Sequence, residues 1–287
     1  MKKNVIVILL LLLTSMNLWG QSLRVELKEL SNNLLNYKII DVREPSYFLE
    51  SHIKGALNFS SNLTYEKKSI NGQITTPNKM QKIIRDLGLD VEDKIVIYDD
   101  GTFFDASRVF WTLEVYGFKN VKLLNGGFDF WKELGFQTST DVLKVKKSNY
   151  IASLDNKKLA TKFSTQIATR SKSSIIIDAR DYDSYVGKAS AAKRFGHIPQ
   201  AINFPATNNI KKDLFKASLK DISELKEIYK NVNKDKKVVL YCSIGKIATS
   251  NYFALRELGY DVANYDASWK EWGNDIRLPI VNPSKKD

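Results

Sequence analysis

Residues 237–250 read KVVLYCSIGKIATS, and residues 94–107 read KIVIYDDGTFFDAS. Each opens on a lysine, runs through three aliphatic residues to a tyrosine, and then changes character. A glycine follows the tyrosine, and a helical pattern follows the glycine. A short apolar, β-branched run bounded by such a turn reads as a buried strand handing over to a helix. The two stretches differ most tellingly at one position, where Cys242 of the second stands opposite Asp99 of the first. Cys242 is also the only cysteine among 287 residues.

Further segments on either side pair in the same order. KIIDVR at 38–43 matches IIIDAR at 175–180, and HIKGALNF at 52–59 matches HIPQAINF at 197–204. LLNGGFDFWKELG at 123–135 matches ANYDASWKEWGND at 263–275. One domain is written twice. Between the strand-like runs lie helical patterns: Met80, Ile83, Ile84 and Leu87 share one face, as do Leu225, Ile228, Tyr229 and Val232. Fully apolar strands alternating with helices predict an α/β chain of two domains, each a parallel sheet with helices on both faces. The boundaries fall at 23–137 and 161–280, with a linker over 138–160 rich in Lys, Ser, Thr and Asn.

The first twenty residues read differently. Lys2 and Lys3 precede an apolar run from Val5 to Leu13, and polarity returns before Gly20. This is the layout of an export signal ending near Gly20, and the run falls short of the roughly 20 apolar residues that span a bilayer. An uncleaved anchor is the other reading. No cysteine follows the run, which excludes a lipid anchor on cysteine, and nothing after residue 22 reads as membrane-spanning. The mature chain is therefore expected outside the cytoplasm, in the periplasm or beyond, where a single cysteine cannot close a disulfide within the chain.

An apolar fraction of 43% with 11% aromatics suits a chain that buries a proper core. The formal charge is +12, and losing Lys2 and Lys3 leaves 12 − 2 = +10. The lysines are scattered rather than set along one face with aromatics, which argues for a solvated basic surface and against nucleic-acid binding. That field favours a small anionic substrate. Two histidines do not make a His-rich metal site, and no cofactor motif is present.

Ligands of open parallel sheets sit beyond the carboxyl ends of the strands. Asp178-Ala179-Arg180 and Tyr241-Cys242 both fall at such ends, bringing an arginine and the lone thiol to one edge. Backbone N–H groups of Ser243, Ile244, Gly245, Lys246, Ile247 and Ala248 can converge on the sulfur, with a helix N-terminus behind them. Gly245 permits a tight turn, and Lys246 adds a full charge. Such surroundings favour the reactive thiolate. A buried, inert cysteine is the plainer alternative, and Arg180 has one too, as an ion-pair partner of Asp178 or Asp181.

The Cys-x-x-Gly-x-x-Ala loop, the paired DxR strands, the two HI-x-x-A segments and YDASWKEW together resemble the tandem rhodanese family. These are the thiosulfate and 3-mercaptopyruvate sulfurtransferases, and the likeness covers essentially the whole mature chain. The resemblance implies a first domain without catalysis, aspartate standing in for cysteine. It implies a Cys242 persulfide that carries sulfane sulfur from a small anionic donor to cyanide or a thiol. Arg180 and Lys246 would then neutralise the donor, and the 243–248 loop would stabilise the persulfide. Asp41, Arg43 and His52 would assist from the domain interface. Ile244 stands where mercaptopyruvate enzymes carry serine, which leans toward thiosulfate, with mercaptopyruvate as the alternative. A phosphatase of related fold needs an arginine where Ala248 stands. A non-enzymatic persulfide-carrying module is the competing reading from another class.

Overall fold

The computed structural model describes residues 22–67, 72–213 and 216–285. The expected export signal over residues 1–20 lies outside them. Two five-stranded sheets are present, each parallel throughout. In the first, the strands run in the order Arg24–Glu26, Val121–Asn125, Ile95–Tyr98, Lys38–Asp41, Ala56–Asn58. The second repeats it in mirror listing: Ala201–Asn203, Ser174–Asp178, Lys237–Tyr241, Val262–Tyr265, Leu159–Ala160. The central strand of each is the apolar run that opened the sequence reading. Ile95–Tyr98 is buried along its whole length, as is Val238–Tyr241. Pairing on both edges and helices on both faces leave such a strand no polar position.

The linker is narrower than its composition suggests. Thr138–Ser139 pairs with His52–Ile53 of the first domain, and Leu159–Ala160 is the edge strand of the second sheet. Two-residue edge strands carry too little periodicity to stand out from a polar connection.

The helix that follows each central strand, Phe104–Val115 and Ala248–Glu257, is buried nearly all round. Each lies on its own sheet with one side and against the other domain with the opposite side, which is why neither shows a strong polar face. Phe110 meets Phe253 edge-on at 5.1 Å between ring centroids. The main hydrophobic cluster accordingly runs across the boundary, from Ile40 and Ile97 to Val238 and Leu240. Two ion-pair groups tie its edges. Glu114 accepts from the Tyr252 hydroxyl at 2.6 Å and from Arg256 at 2.9 and 3.1 Å. Arg24 pairs with Glu257 and donates to the Lys220 carbonyl at 2.9 Å.

Removing one member of a buried charge group strands the others without partners. Glu114→Ala should therefore lower the unfolding free energy by roughly 2–4 kcal/mol, read from denaturant titration, because Tyr252 and Arg256 lose their shared acceptor.

Candidate active site

Each central strand ends on a tyrosine whose hydroxyl completes a strut. Tyr241 donates to Asp178 at 2.6 Å, Arg180 makes a two-armed contact to the same carboxylate at 2.6 and 2.9 Å, and a further N–H reaches the Gly196 carbonyl at 2.8 Å. Tyr98, Asp41, Arg43 and the Ser51 carbonyl repeat this arrangement in the first domain. The strut squares off the sheet edge on which the next residue, Asp99 or Cys242, is set.

Beyond Cys242 the chain is held by its carbonyls. The Cys242 carbonyl accepts from Trp269 N–H and that of Ser243 from Lys270 N–H, both at 2.9 Å. The carbonyl of Gly245 accepts from Arg108 at 3.1 Å and from Asn264 at 3.2 Å. Those of Lys246 and Ile247 accept from Thr249 and Ser250 N–H groups. The N–H groups tell the opposite story. From Ser243 to Ala248, six in a row, none has an acceptor among the described residues, the Cys242 sulfur included. Gly245 and Ala248 are buried and the other four residues half-buried, where backbone N–H groups are usually paired. A run of unpaired ones ahead of a helix is a cradle for negative charge.

The first domain shows what such a cradle takes. There the Asp99 carboxylate accepts N–H groups of its own loop from Gly101 at 2.8 Å, Phe103 at 3.1 Å and Ala106 at 3.2 Å. Burial, and then the charge of Asp100, carry this carboxyl up to about 6 even so.

Two glycine constraints set the loop's shape. Gly245 has φ +68°, and a Cβ there would stand 2.3 Å from the Asp266 carbonyl oxygen. At Gly72, in the first domain, a Cβ would stand 1.7 Å from the Ile244 carbonyl oxygen. The first domain therefore packs backbone to backbone on the loop and leaves Cys242 1% exposed. Arg108, fully buried, stacks between Tyr65 at 4.3 Å and Trp111 at 4.6 Å while it grips Gly245. Tyr65 is pushed up to about 12 by burial, with Arg108 opposing and the nearby Cys242 adding to the rise.

The other residues singled out from sequence sit elsewhere. Arg180 is 2% exposed under the Trp269 ring and engaged with Asp178 and Gly196, so it is the ion-pair strut rather than a donor contact. Its Nη1 alone has no partner among the described residues. Asp41 and Arg43 form the matching strut of the first domain, and Arg43 lines the cleft that Lys246 also lines. His52 stacks on Phe48 at 3.8 Å and uses its ring nitrogens on the carbonyls of Phe48 and Asp141. His197 does the same with Tyr185. The expected assistance from Asp41, Arg43 and His52 is thus replaced by local bracing, because an i, i+2 Asp-x-Arg pair folds back on itself. Lys246 leaves the loop for the first domain, where it meets Asp105 at 2.7 Å. The larger cavity of about 800 Å³, along Leu34–Lys38 and Lys94, lies at the amino end of the first sheet, away from the thiol.

Arg108, Tyr65 and Gly72 stand in no motif of the sequence, and Asp266 and Ser268 belong to YDASWKEW with no role of their own legible there. Arg108 is the one cation of the helix Phe104–Val115, and that is its only signal in the sequence. Ser268, at φ +55°, accepts the Cys242 N–H at 3.1 Å and opens the short helix that clamps the loop.

A family model described as Rhodanese-like domain matches residues 24–134 and again 160–275. A Haloferax volcanii protein named "Putative thiosulfate sulfurtransferase" is 27% identical over 256 residues, 85% of this chain and 88% of that one. "Putative thiosulfate sulfurtransferase SseA" of Mycobacterium bovis is 32% identical over 204 residues, 68% of each chain. Among solved structures, SseA from Escherichia coli, described with the 3-mercaptopyruvate sulfotransferases, superposes with TM-score 0.77 at 25% identity. That match covers 87% of this chain and 99% of that one.

Asp266 joins the two domains at the loop, accepting N–H groups from Ile74 and Ala267. Burial lifts its carboxyl from 3.8 to about 6, against the pull of Arg108 and of those two N–H groups. The folded state then holds this proton more tightly than the unfolded chain. Its stabilising contribution is complete below about 3.8 and lost as pH rises through about 6. Asp266→Asn should thus gain on the wild type by about 2–3 kcal/mol between pH 4 and pH 7, in paired denaturant titrations.

Proposed function

Because the chain belongs to the rhodanese family of sulfurtransferases, we propose that it moves the outer sulfur of thiosulfate through a Cys242 persulfide to cyanide or a thiol. One observation carries the reading: the six N–H groups from Ser243 to Ala248 that have no acceptor among the described residues, laid out where the first domain places a carboxylate. Cys242 thiolate attacks the outer sulfur, the donor's S–S bond breaks, and sulfite leaves with the bonding pair. The persulfide keeps one negative charge on its terminal sulfur, which the loop N–H groups receive. The acceptor then attacks that sulfur, the cysteine S–S bond breaks, and Cys242 returns as thiolate. Charge moves along a line of three atoms centred on the transferred sulfur in each step, so donors fixed in advance lower both barriers.

Donor choice follows from what the arginines near the loop are doing. A mercaptopyruvate carboxylate is best held by a two-armed arginine. Arg108 serves Thr64, Gly72 and Gly245, and Arg180 serves Asp178 and Gly196. That supports the compact inorganic donor, held by backbone.

Purified mature chain should transfer sulfur from thiosulfate to cyanide with a higher kcat/KM than from 3-mercaptopyruvate, show no phosphatase turnover, and gain the mass of one sulfur on Cys242 when given donor alone. Turnover unchanged in Cys242→Ser, or none with either donor, sinks the enzyme reading. A persulfide that forms without passing to any small acceptor favours the carrier module. A second outcome concerns Gly245→Ala, where the new methyl meets backbone oxygen rather than a side chain that can swing away. It should cut transfer by about 100-fold or more while leaving the far-ultraviolet dichroism unchanged.

A further inference from the structure

The loop after Cys242 carries one cationic side chain, and the other domain holds it. Lys246 Nζ lies 2.7 Å from Asp105 Oδ2, and the second oxygen of Asp105 accepts from the buried Ser61 hydroxyl. Lys246 and Asp105 keep 27% and 28% side-chain exposure, so the contact sits at the mouth of the interface rather than inside it. The ammonium looks into a cleft of about 380 Å³ in the first domain, lined by Glu44, Asp99, Asp100 and Asp129 and by Arg43, whose charge is already paired with Asp41. Acidic groups in that cleft favour an ammonium there over one beside the thiol.

We propose that Asp105 is a specificity-determining positioning residue, holding Lys246 out of the donor's path so that backbone N–H groups carry donor recognition. This rests on the reading of Cys242 as the sulfur-accepting thiol. The physical reason lies in the charges of the reaction. Thiosulfate arrives and sulfite departs as dianions, so a lysine at the mouth would hold both alike. Uniform binding lowers KM without raising kcat and slows release of the product. It would also pair with the persulfide and delay its transfer. A tether on the neighbouring domain removes the charge from the line of attack without removing it from the loop.

The test reads the thiol directly, so it does not depend on turnover. Alkylation of Cys242 by anionic iodoacetate is compared with alkylation by neutral iodoacetamide, in wild type, Asp105→Asn, Lys246→Ala and the double variant. The iodoacetamide rate reports exposure of the thiol, and the ratio of the two rates reports the local charge. Asp105→Asn should raise the ratio about fivefold, with the gain lost at about 0.5 M salt. Removing Lys246 should lower the ratio about fivefold more in the Asp105→Asn background than in wild type. Asp105→Glu, which keeps the charge, should restore the wild-type ratio. In thiosulfate kinetics, KM should fall in Asp105→Asn with kcat unchanged or lower. Removal of Lys246 changing the ratio by the same factor in both backgrounds overturns the proposal, as does an unchanged ratio in Asp105→Asn. A wild type that alkylates as expected yet transfers no sulfur overturns the functional reading instead.

Discussion

A row of backbone N–H groups stays turned to one side only while the carbonyls of the same peptides are held on the other. That constraint governs the loop after Cys242. Trp269 and Lys270 hold the first two carbonyls, Arg108 and Asn264 hold that of Gly245, and Thr249 and Ser250 hold the last two. The anchors come from four places: the short helix Ser268–Trp272, the strand Val262–Tyr265, the first turn of the helix Ala248–Glu257, and the first domain. Take any away and the peptides can rotate to pair with water or with each other, and the cradle for negative charge is lost.

This explains why a domain without a thiol accompanies the one that has it. The first domain contributes Arg108 to the Gly245 carbonyl, Gly72 to the close approach on Ile244, and the Ile74 N–H to Asp266. It also contributes the aspartate that takes Lys246. Its own loop keeps the same curl around Asp99, whose carboxylate satisfies the N–H groups from within. The two halves share one frame, and a single side chain decides whether the cradle is filled or open.

Much of this could be read in the letters. Two parallel α/β domains followed from apolar strands alternating with helices, and the repeat followed from motifs kept in order. Strand-to-helix placement of Cys242 and the need for Gly245 followed from turn chemistry. The charged residues were harder. Asp178-Ala179-Arg180 reads first as a substrate contact and only second as a pair closed on itself, while burial beneath Trp269 and the closed contact to Asp178 favour the second. His52 looks like a site histidine until its stacking on Phe48 is seen, whereas His197 reads from the start as a loop brace and stacks on Tyr185. A lysine side chain has four rotatable bonds, so the position of Lys246 in the loop said nothing about which side it would take.

Fold, duplication and the place of the one thiol are written in the sequence, because hydrophobic period, turn residues and residue type are local properties. Tertiary structure alone decided which groups face the thiol and which turn away from it. Those decisions rest on contacts such as Arg108 with Gly245, 137 residues apart, and Lys246 with Asp105, 141 apart. Both arise only when two helices, each buried on opposite sides, bring the domains together. No short-range pattern encodes a meeting of that kind, since its partners are chosen by the packing of everything between them.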